Sequence, residues 1–139
     1  MPQSKLSSQE YDLLLHAARE AMQSAYAPYS NFKVGAAILT AQDQVFSGCN
    51  VENASFGLTN CAERSAIFTA IAASKTGKLD VRAVVVVNAN DVPCSPCGAC
   101  RQVISEFAAD ANTIVIFRGK TGYEETTIGN LLPESFRLS

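Results

Sequence analysis

The sequence predicts an α/β fold, a three-layer α/β/α sandwich built on a mixed five-stranded sheet. An amphipathic helical pattern comes first, and two strands separated by a short polar turn follow it. Helical and strand patterns then alternate toward the end of the chain. Because right-handed βαβ connections place helices against the faces of a sheet, this order predicts parallel crossovers onto a sheet that carries a hairpin. The length of 139 residues predicts one domain, residues 1–139.

The first predicted element is an amphipathic helix. Ser7 and Glu10 have the spacing of a capping box, and the helix that they open runs to about Ala25, with Pro28 beyond its end. Apolar residues recur along it at the spacing of one buried face. These residues are Tyr11, Leu14, Leu15, Ala18, Met22 and Ala25.

A hairpin and a second helix follow. Residues 32–40 and 45–50 are rich in strand-forming residues, and the polar turn between them predicts antiparallel pairing. Residues 61–74 form the second helical pattern, which closes near Gly77.

Buried strands dominate the second half. Residues 81–88 are apolar with almost no alternation, which is typical of a central strand covered on both faces. A third helix runs from residue 98 to about 109, and residues 113–117 form another buried strand. Residues 123–127 predict a short fifth strand, and residues 131–133 a turn of helix.

Composition excludes several classes of function. The chain is 47% hydrophobic and 17% charged with a net charge of −2, and it has no Lys/Arg run, which argues against a nucleic-acid partner. No apolar stretch approaches the roughly 20 residues that span a bilayer. Residues 1–5 lead into the first helix without the apolar core of a signal peptide. We therefore expect a cytoplasmic protein without a membrane partner.

Cysteine and histidine usage narrows the chemistry. Three of the five cysteines lie within residues 94–100, and in a reducing compartment such clusters bind metal or carry out redox chemistry more often than they form disulfides. The single histidine, His16, lies in the first helix, which argues against a catalytic mechanism built on histidine.

Cys61, Cys97 and Cys100 have the pattern of a zinc site. Cys97 and Cys100 are one helical turn apart at a helix start, and Cys61 stands at the start of another helix. Helix N-termini carry partial positive charge, which favours the thiolates that a metal needs. Three thiolates fill three tetrahedral positions and leave the fourth open for water. Glu63, two residues from Cys61, could then move the protons of that water.

Glu63 and Arg64 each have a second interpretation. Asn60 and Glu63 have the spacing of a capping box, which would give Glu63 a purely structural role. Arg64 is by default an exposed helix residue, but a guanidinium that donates to the sulfurs would offset the −1 charge of a zinc ion with three thiolates. Arg101 is assigned a structural role.

Two other arrangements of the cysteines remain open. With Cys94 added, the four sulfurs could form a closed structural site, which would leave Glu63 without a function. A C-x-x-C thiol oxidoreductase is a third possibility, although the motif comes late in this fold. Cys49 is expected to be a small buried residue.

Four ordered motifs together resemble the cytidine deaminase family, in particular its short homotetrameric type with an all-cysteine zinc site. They are FKVGAA at 32–37, NVENAS at 50–55, CAERSA at 61–66 and PCGACRQ at 96–102, and the resemblance covers residues 26–136. The Cys-x-Glu and Pro-Cys-x-x-Cys order is also that of the wider zinc deaminases. The resemblance implies a cytidine deaminase-like fold and one zinc per subunit.

The implied activity is hydrolytic deamination of cytidine and 2′-deoxycytidine to uridine and 2′-deoxyuridine, with release of ammonia, in pyrimidine salvage. The resemblance implies zinc-bound hydroxide as the nucleophile, Glu63 as the proton shuttle and a small-molecule nucleoside as the substrate. Two rival classes are a non-catalytic zinc-binding domain and a deaminase of free bases, nucleotides or nucleic acid.

The resemblance also implies residue roles. Cys61, Cys97 and Cys100 match the zinc ligands. Asn50 and Glu52 match the pair that holds the ribose 3′-hydroxyl, and a carboxylate there would repel a 5′-phosphate.

The remaining matches concern the base and the subunit interface. Phe32 matches an aromatic residue at the pyrimidine pocket, and the Ala62 backbone N–H matches a donor to pyrimidine O2. Phe56, where tyrosine is also common, and Phe136 match aromatic residues that help to close the site of a neighbouring subunit. Cys94 departs from the family pattern.

Overall fold

The computed structural model describes residues 6–138, so the expectation for residues 1–5 lies outside the described part of the chain. The helices are α1 (Ser8–Gln23), α2 (Ala62–Ala73), α3 (Gly98–Phe107) and α4 (Ile128–Leu131), and a short 3₁₀ helix spans Phe56–Leu58. The strands are β1 (Val34–Thr40), β2 (Val45–Cys49), β3 (Val81–Asn88), β4 (Ile114–Arg118) and β5 (Tyr123–Thr127). Among the described residues, no helix has the length and apolar character needed to cross a membrane.

The five strands form one mixed sheet in the order β2-β1-β3-β4-β5. β3 and β4 are parallel, whereas β1 pairs antiparallel with both β2 and β3, and β4 pairs antiparallel with β5. Since β1 opposes both of its neighbours, β2 and β3 run in the same direction. Both helical crossovers, through α2 and through α3, therefore join parallel strands, and the predicted fold class is confirmed.

The sheet is covered on both faces, which explains the unbroken apolar run of β3. Val85 and Val87 lie in the cluster that contains Leu14 and Ala18 of α1. Val84 and Val86 point to the other face, into the cluster that also holds residues of α2, α3 and α4. Alternate side chains of one strand thus enter two separate cores, as the pleat of a strand requires.

Two glycines allow helices to approach the sheet closely. A Cβ on Gly35 of β1 would lie 2.0 Å from the Ala18 carbonyl oxygen of α1. A Cβ on Gly48 of β2 would lie 2.5 Å from the Ala66 backbone nitrogen of α2. The second approach matters for the site, because it sets the position of the helix that begins beside Cys61.

Several predicted boundaries differ from the structure. The Ser7 and Glu10 capping box is present, but α1 ends at Gln23 before reaching Ala25. α2 ends at Ala73, and Gly77 lies in the following loop with a φ of +72°. The last helical turn precedes the predicted 131–133, because the Thr127 side chain caps it by accepting from the Asn130 N–H.

Candidate metal centre and active site

The topology brings the first turns of α2 and α3 to one edge of the sheet. Both helices lie on the same face, and each follows a strand of the same direction, so their N-termini lie near the carboxyl ends of those strands. Ligand sites of α/β sheets form at this edge. Cys61 is the N-cap residue of α2 and Cys97 is the N-cap residue of α3, both in extended backbone conformation.

The three predicted ligands converge. The sulfurs of Cys61, Cys97 and Cys100 all lie within 4.8 Å of one another, and the Cys61 and Cys97 sulfurs are 4.0 Å apart. Tetrahedral zinc with bonds of about 2.3 Å requires sulfurs about 3.8 Å apart. The Cys100 N–H faces the Cys97 sulfur at 3.5 Å, as expected for the first turn of a helix. Both the spacing and the soft thiol donors fit zinc.

The Cys61 and Cys100 thiols differ in acidity. A hydrogen bond from the Cys100 thiol, together with the Arg64 guanidinium, lowers the pKa of Cys61 to about 5. The same hydrogen bond with Cys61, together with burial, raises the pKa of Cys100. One member of this pair is therefore ready to bind a metal as thiolate, and binding releases the proton of the other.

Arg64 lies beside the sulfur cluster. Its Nη2 donates to the Cys61 sulfur over 3.1 Å, and this contact raises the pKa of the guanidinium. The Arg64 Nε is buried and has no hydrogen-bond partner among the described residues. The arginine therefore presents positive charge to the sulfurs, as its predicted role requires.

Glu63 is buried beside the same cluster. Only 5% of the residue is exposed, and burial raises the pKa of its carboxyl group while the Cys100 thiol opposes that rise by donating a hydrogen bond. The alternative capping-box interpretation is wrong, because the N-cap residue is Cys61 and no side-chain cap is present. Asn60 instead donates to the Ser65 hydroxyl over 3.1 Å. A buried carboxyl group next to a metal-binding cluster is suited to proton transfer.

The other two cysteines lie outside this cluster. Cys94 is partly buried, its N–H donates to the Arg118 carbonyl over 2.9 Å, and burial raises its thiol pKa. Its sulfur is not one of the three that converge. Cys49 was expected to be buried, but it is only partly so.

Asn50 holds the start of β1 in place. Its side-chain oxygen accepts the Val34 N–H over 2.9 Å, and its side-chain nitrogen donates to the Phe32 carbonyl over 2.8 Å. The residue is buried, so these bonds fix the backbone on either side of Lys33. Asn50 thus orients the segment that carries Phe32, and its contact with a ribose stays a prediction.

Glu52 organises a loop that sequence reasoning missed. Its carboxylate accepts the N–H groups of Tyr29 and Ser30, at 2.9 and 3.2 Å, and the Ser30 hydroxyl. The hydrogen bond from the Ser30 side chain is the main reason that the pKa of Glu52 is lowered. No local pattern in the sequence could have paired these residues, which are more than 20 positions apart.

The two aromatic residues predicted to help close a neighbouring site, Phe56 and Phe136, are exposed in the single chain, whereas Phe32 is partly buried. Phe56 is 75% exposed and Phe136 is 67% exposed, so the described residues enclose neither ring. Phe56 contacts Tyr29 edge-on, with ring centroids 6.1 Å apart. Ala62 is the first residue of α2, a position where the backbone N–H has no acceptor within the helix.

A thiol cluster at two helix N-termini, a buried carboxyl group and an arginine on the sulfurs define a metal-dependent enzyme of the α/β class. Residues 8–117 match the family described as the cytidine and deoxycytidylate deaminase zinc-binding region. The chain belongs to this zinc-dependent deaminase family.

Relatives and solved structures agree with this assignment. The cytidine deaminase of Sporosarcina psychrophila is 42% identical over 127 residues, covering 91% of each chain. That of Halalkalibacterium halodurans is 44% identical over 124 residues, covering 89% of this chain and 92% of the relative. The crystal structure of cytidine deaminase from Burkholderia pseudomallei is 46% identical, with a TM-score of 0.79 over 91% of this chain and 98% of that chain.

Proposed function

We propose that this zinc-dependent enzyme hydrolyses cytidine and 2′-deoxycytidine to uridine and 2′-deoxyuridine with release of ammonia, and that it acts in pyrimidine salvage. The observation that carries the proposal is the convergence of three thiols beside one buried carboxyl group. The family membership and the named activity of relatives about 40% identical over nine-tenths of the chain support the same substrate class.

Cys61, Cys97 and Cys100 would hold one zinc ion per chain. When bound, zinc acidifies water and so provides a nucleophile near neutral pH. Three ligands leave the fourth tetrahedral position for this purpose. Arg64 offsets the negative charge of three thiolates through its bond to the Cys61 sulfur, which preserves the acidity of the metal.

Glu63 moves the protons of the reaction. Its carboxylate accepts a proton from the attacking water and delivers it to pyrimidine N3, while the water oxygen bonds to C4. Glu63 then takes the proton of the new hydroxyl group on C4 and passes it to the exocyclic amine, so that the C4–N bond breaks, ammonia leaves and the C4 carbonyl forms. Because burial raises the pKa of Glu63, the carboxylate is a stronger base than a solvated one, which suits a group that must both accept and donate near neutral pH.

The remaining groups would bind the nucleoside. Asn50 and Glu52 face the ribose 3′-hydroxyl, Phe32 contacts the pyrimidine ring, and the Ala62 N–H, which has no acceptor within α2, donates to O2. The Glu52 carboxylate has roughly four acceptor positions, of which the Tyr29–Ser30 loop uses three, so it can also accept a ribose hydroxyl. The same negative charge disfavours a substrate with a 5′-phosphate.

The enzyme is further proposed to be a cytoplasmic homotetramer of single-domain chains. The exposure of Phe56 and Phe136 supports assembly, because a neighbouring chain could cover both rings. The five cysteines are all free, as expected in the reducing cytoplasm, where a thiolate metal site persists.

A substrate panel tests the proposal. Cytidine, 2′-deoxycytidine, cytosine, dCMP and single-stranded DNA are each incubated with the zinc-loaded enzyme, and loss of cytosine-ring absorbance is followed. We expect turnover of the two nucleosides and little of the others. Turnover confined to dCMP or DNA would contradict the substrate class. One bound zinc per chain with no turnover of any substrate would indicate a non-catalytic zinc-binding domain.

A further inference from the structure

Arg101 bridges two segments that are distant in sequence. Its Nε donates to the Pro96 carbonyl over 2.8 Å and its Nη2 to the Ser95 hydroxyl over 3.3 Å. Its Nη1 donates to the carbonyl of Leu131, the last residue of α4, over 3.1 Å. One planar guanidinium thus joins residues 95–97, the ligand loop that ends in Cys97, to residues 128–138, the C-terminal segment.

The C-terminal segment has further contacts along α3. The Gln102 amide faces the Phe136 carbonyl at 3.5 Å. The Arg137 guanidinium donates to the Ala108 carbonyl over 2.9 Å and also to the Ser105 carbonyl. The helix with two proposed zinc ligands in its first turn therefore also positions the segment that carries Phe136.

We propose that Arg101 is a positioning residue that couples the ligand loop to the C-terminal segment, so that zinc retention and the packing of α4 depend on each other. The inference rests on the proposed function, in which Cys97 and Cys100 hold zinc. The proposal follows from the shape of the group: a guanidinium has donors in fixed directions, so the three acceptors must keep one relative arrangement. If α4 moves, the Pro96 carbonyl loses its donor, and the backbone that aims the Cys97 sulfur is no longer fixed. Linkage makes this effect reciprocal.

The test compares Arg101→Gln and Arg101→Lys with the wild-type zinc enzyme. Zinc affinity is measured by competition with a chelator, and hydrogen exchange is measured at the backbone amides of the C-terminal segment. Loss of groups that orient metal ligands costs about 10–100-fold in metal affinity, and we expect this range for Arg101→Gln. We expect faster exchange at Leu132, the C-cap residue of α4, whose N–H donates to the Ile128 carbonyl.

Arg101→Lys separates coupling from simple charge. Lysine keeps the charge but not the planar fork, so we expect it to restore neither zinc affinity nor exchange protection. The absorption bands of the Co²⁺-substituted enzyme, which report ligand geometry, should also shift in both variants.

Arg137→Gln is the matched control. It removes a guanidinium that anchors the chain beyond α4 without touching the ligand loop. We expect exchange at Leu132 and zinc affinity both to stay close to wild type, because the Arg101 bond to Leu131 is retained. A large loss of zinc affinity in this control with exchange at Leu132 unchanged would show that the coupling does not pass through Arg101 and α4, and would overturn the proposal.

The other outcomes also decide the question. Weaker zinc binding in Arg101→Gln with unchanged exchange at Leu132 would overturn the proposal. Faster exchange at Leu132 with unchanged zinc binding would overturn it as well. Should Arg101→Gln fail to fold, Arg101→Lys and Ser95→Ala carry the test, and wild-type values for both readouts in both variants would overturn it. If the wild-type protein binds no zinc, the proposed function fails; if it binds zinc and deaminates cytidine while the Arg101 variants match it, only the coupling fails.

Discussion

The thiol cluster at the N-termini of α2 and α3 and the aromatic surface formed by Tyr29 and Phe56 differ in how fully one chain encloses them. In the cluster, Cys100 and Glu63 are buried and Arg64 already bonds a sulfur. On the aromatic surface, Phe56 is 75% exposed and Tyr29 is 50% exposed. The groups of the thiol cluster are thus largely enclosed by one chain, whereas the rings of the aromatic surface are left exposed to solvent.

Physical chemistry accounts for this difference. A buried carboxyl group or thiolate needs partners in its own chain, because an unpaired buried charge costs several kcal/mol. Apolar rings tolerate exposure and can be covered later by another subunit or a substrate. Substitutions in the thiol cluster should therefore change zinc affinity and kcat. Substitutions of the exposed aromatic residues should change substrate binding.

The largest effect is expected for Glu63→Gln. Glutamine keeps the size of the side chain but cannot accept and return a proton, so kcat should fall by about 10²–10⁴-fold, the usual contribution of a general acid-base group. Zinc content and thermal stability should stay near wild type, because no ligand is removed. Steady-state kinetics and metal analysis on the same sample provide the measurement.

Glu106→Gln is the matched control for Glu63→Gln, since Glu106 is an exposed residue of α3. It should turn over cytidine at the wild-type rate. A Glu63→Gln enzyme with near-normal kcat would remove Glu63 from the chemistry and leave the cluster as a metal site without an assigned base.

A smaller effect is expected for Arg64→Gln. Without the guanidinium on the Cys61 sulfur, the negative charge of the three thiolates is not offset. We expect zinc affinity to fall by about 10–100-fold. The pKa of the Cys61 thiol should rise toward its ordinary range, since Arg64 helps to lower it. Chelator competition measures the first effect and the pH dependence of alkylation of the zinc-free protein measures the second. Unchanged zinc affinity would assign Arg64 a surface role.

Much of the fold could be predicted because its signals are local. The capping box at Ser7 and the unbroken apolar run of β3 depend on neighbouring residues, and both were predicted correctly. The predicted end of α1 and the predicted position of α4 were wrong by a few residues. In α4 the Thr127 side chain caps the first turn, which hydrophobic periodicity does not reveal. The order of elements then determined the mixed sheet.

Some features of the candidate site could likewise be predicted from the sequence, and others could not. The cysteine pattern predicted the converging sulfurs, because helices that lie on one face and follow strands of the same direction begin at the same edge of the sheet. The contacts of Glu52 with Ser30 and of Arg101 with Leu131 could not be predicted, since they join loops that only the folded chain brings together. The exposure of Phe56 could not be predicted either, because no local sequence pattern indicates it.

Phe136→Ala tests the role proposed for the exposed aromatic residues. If this ring covers the pocket of a neighbouring subunit, its loss should lower kcat/KM for cytidine roughly tenfold, within the 1–3 kcal/mol typical of stacking between a base and an aromatic ring. Zinc content should not change, because the ring lies outside the sulfur cluster. Kinetics and metal analysis give both quantities.

Assembly state supplies the companion measurement. Four chains of 14.8 kDa predict a particle of about 59 kDa in sedimentation. Activity should then depend on assembly, because a single chain leaves the aromatic residues exposed to water. A fully active monomer at assay concentration would contradict the shared site while leaving the chemistry of Glu63 and the three cysteines intact.

The smallest effect is expected for Cys94→Ser. Its sulfur lies outside the converging group, so one zinc per chain and a chelator-resistant site should both survive the substitution. Cys97→Ser is the matched variant, because it removes a sulfur of the cluster three residues away and should release zinc. Loss of zinc in Cys94→Ser as well would mean a closed site with four sulfurs. A zinc ion with four sulfur ligands would have no open position for water. That result would therefore mean that the cluster has a structural role and not a catalytic one.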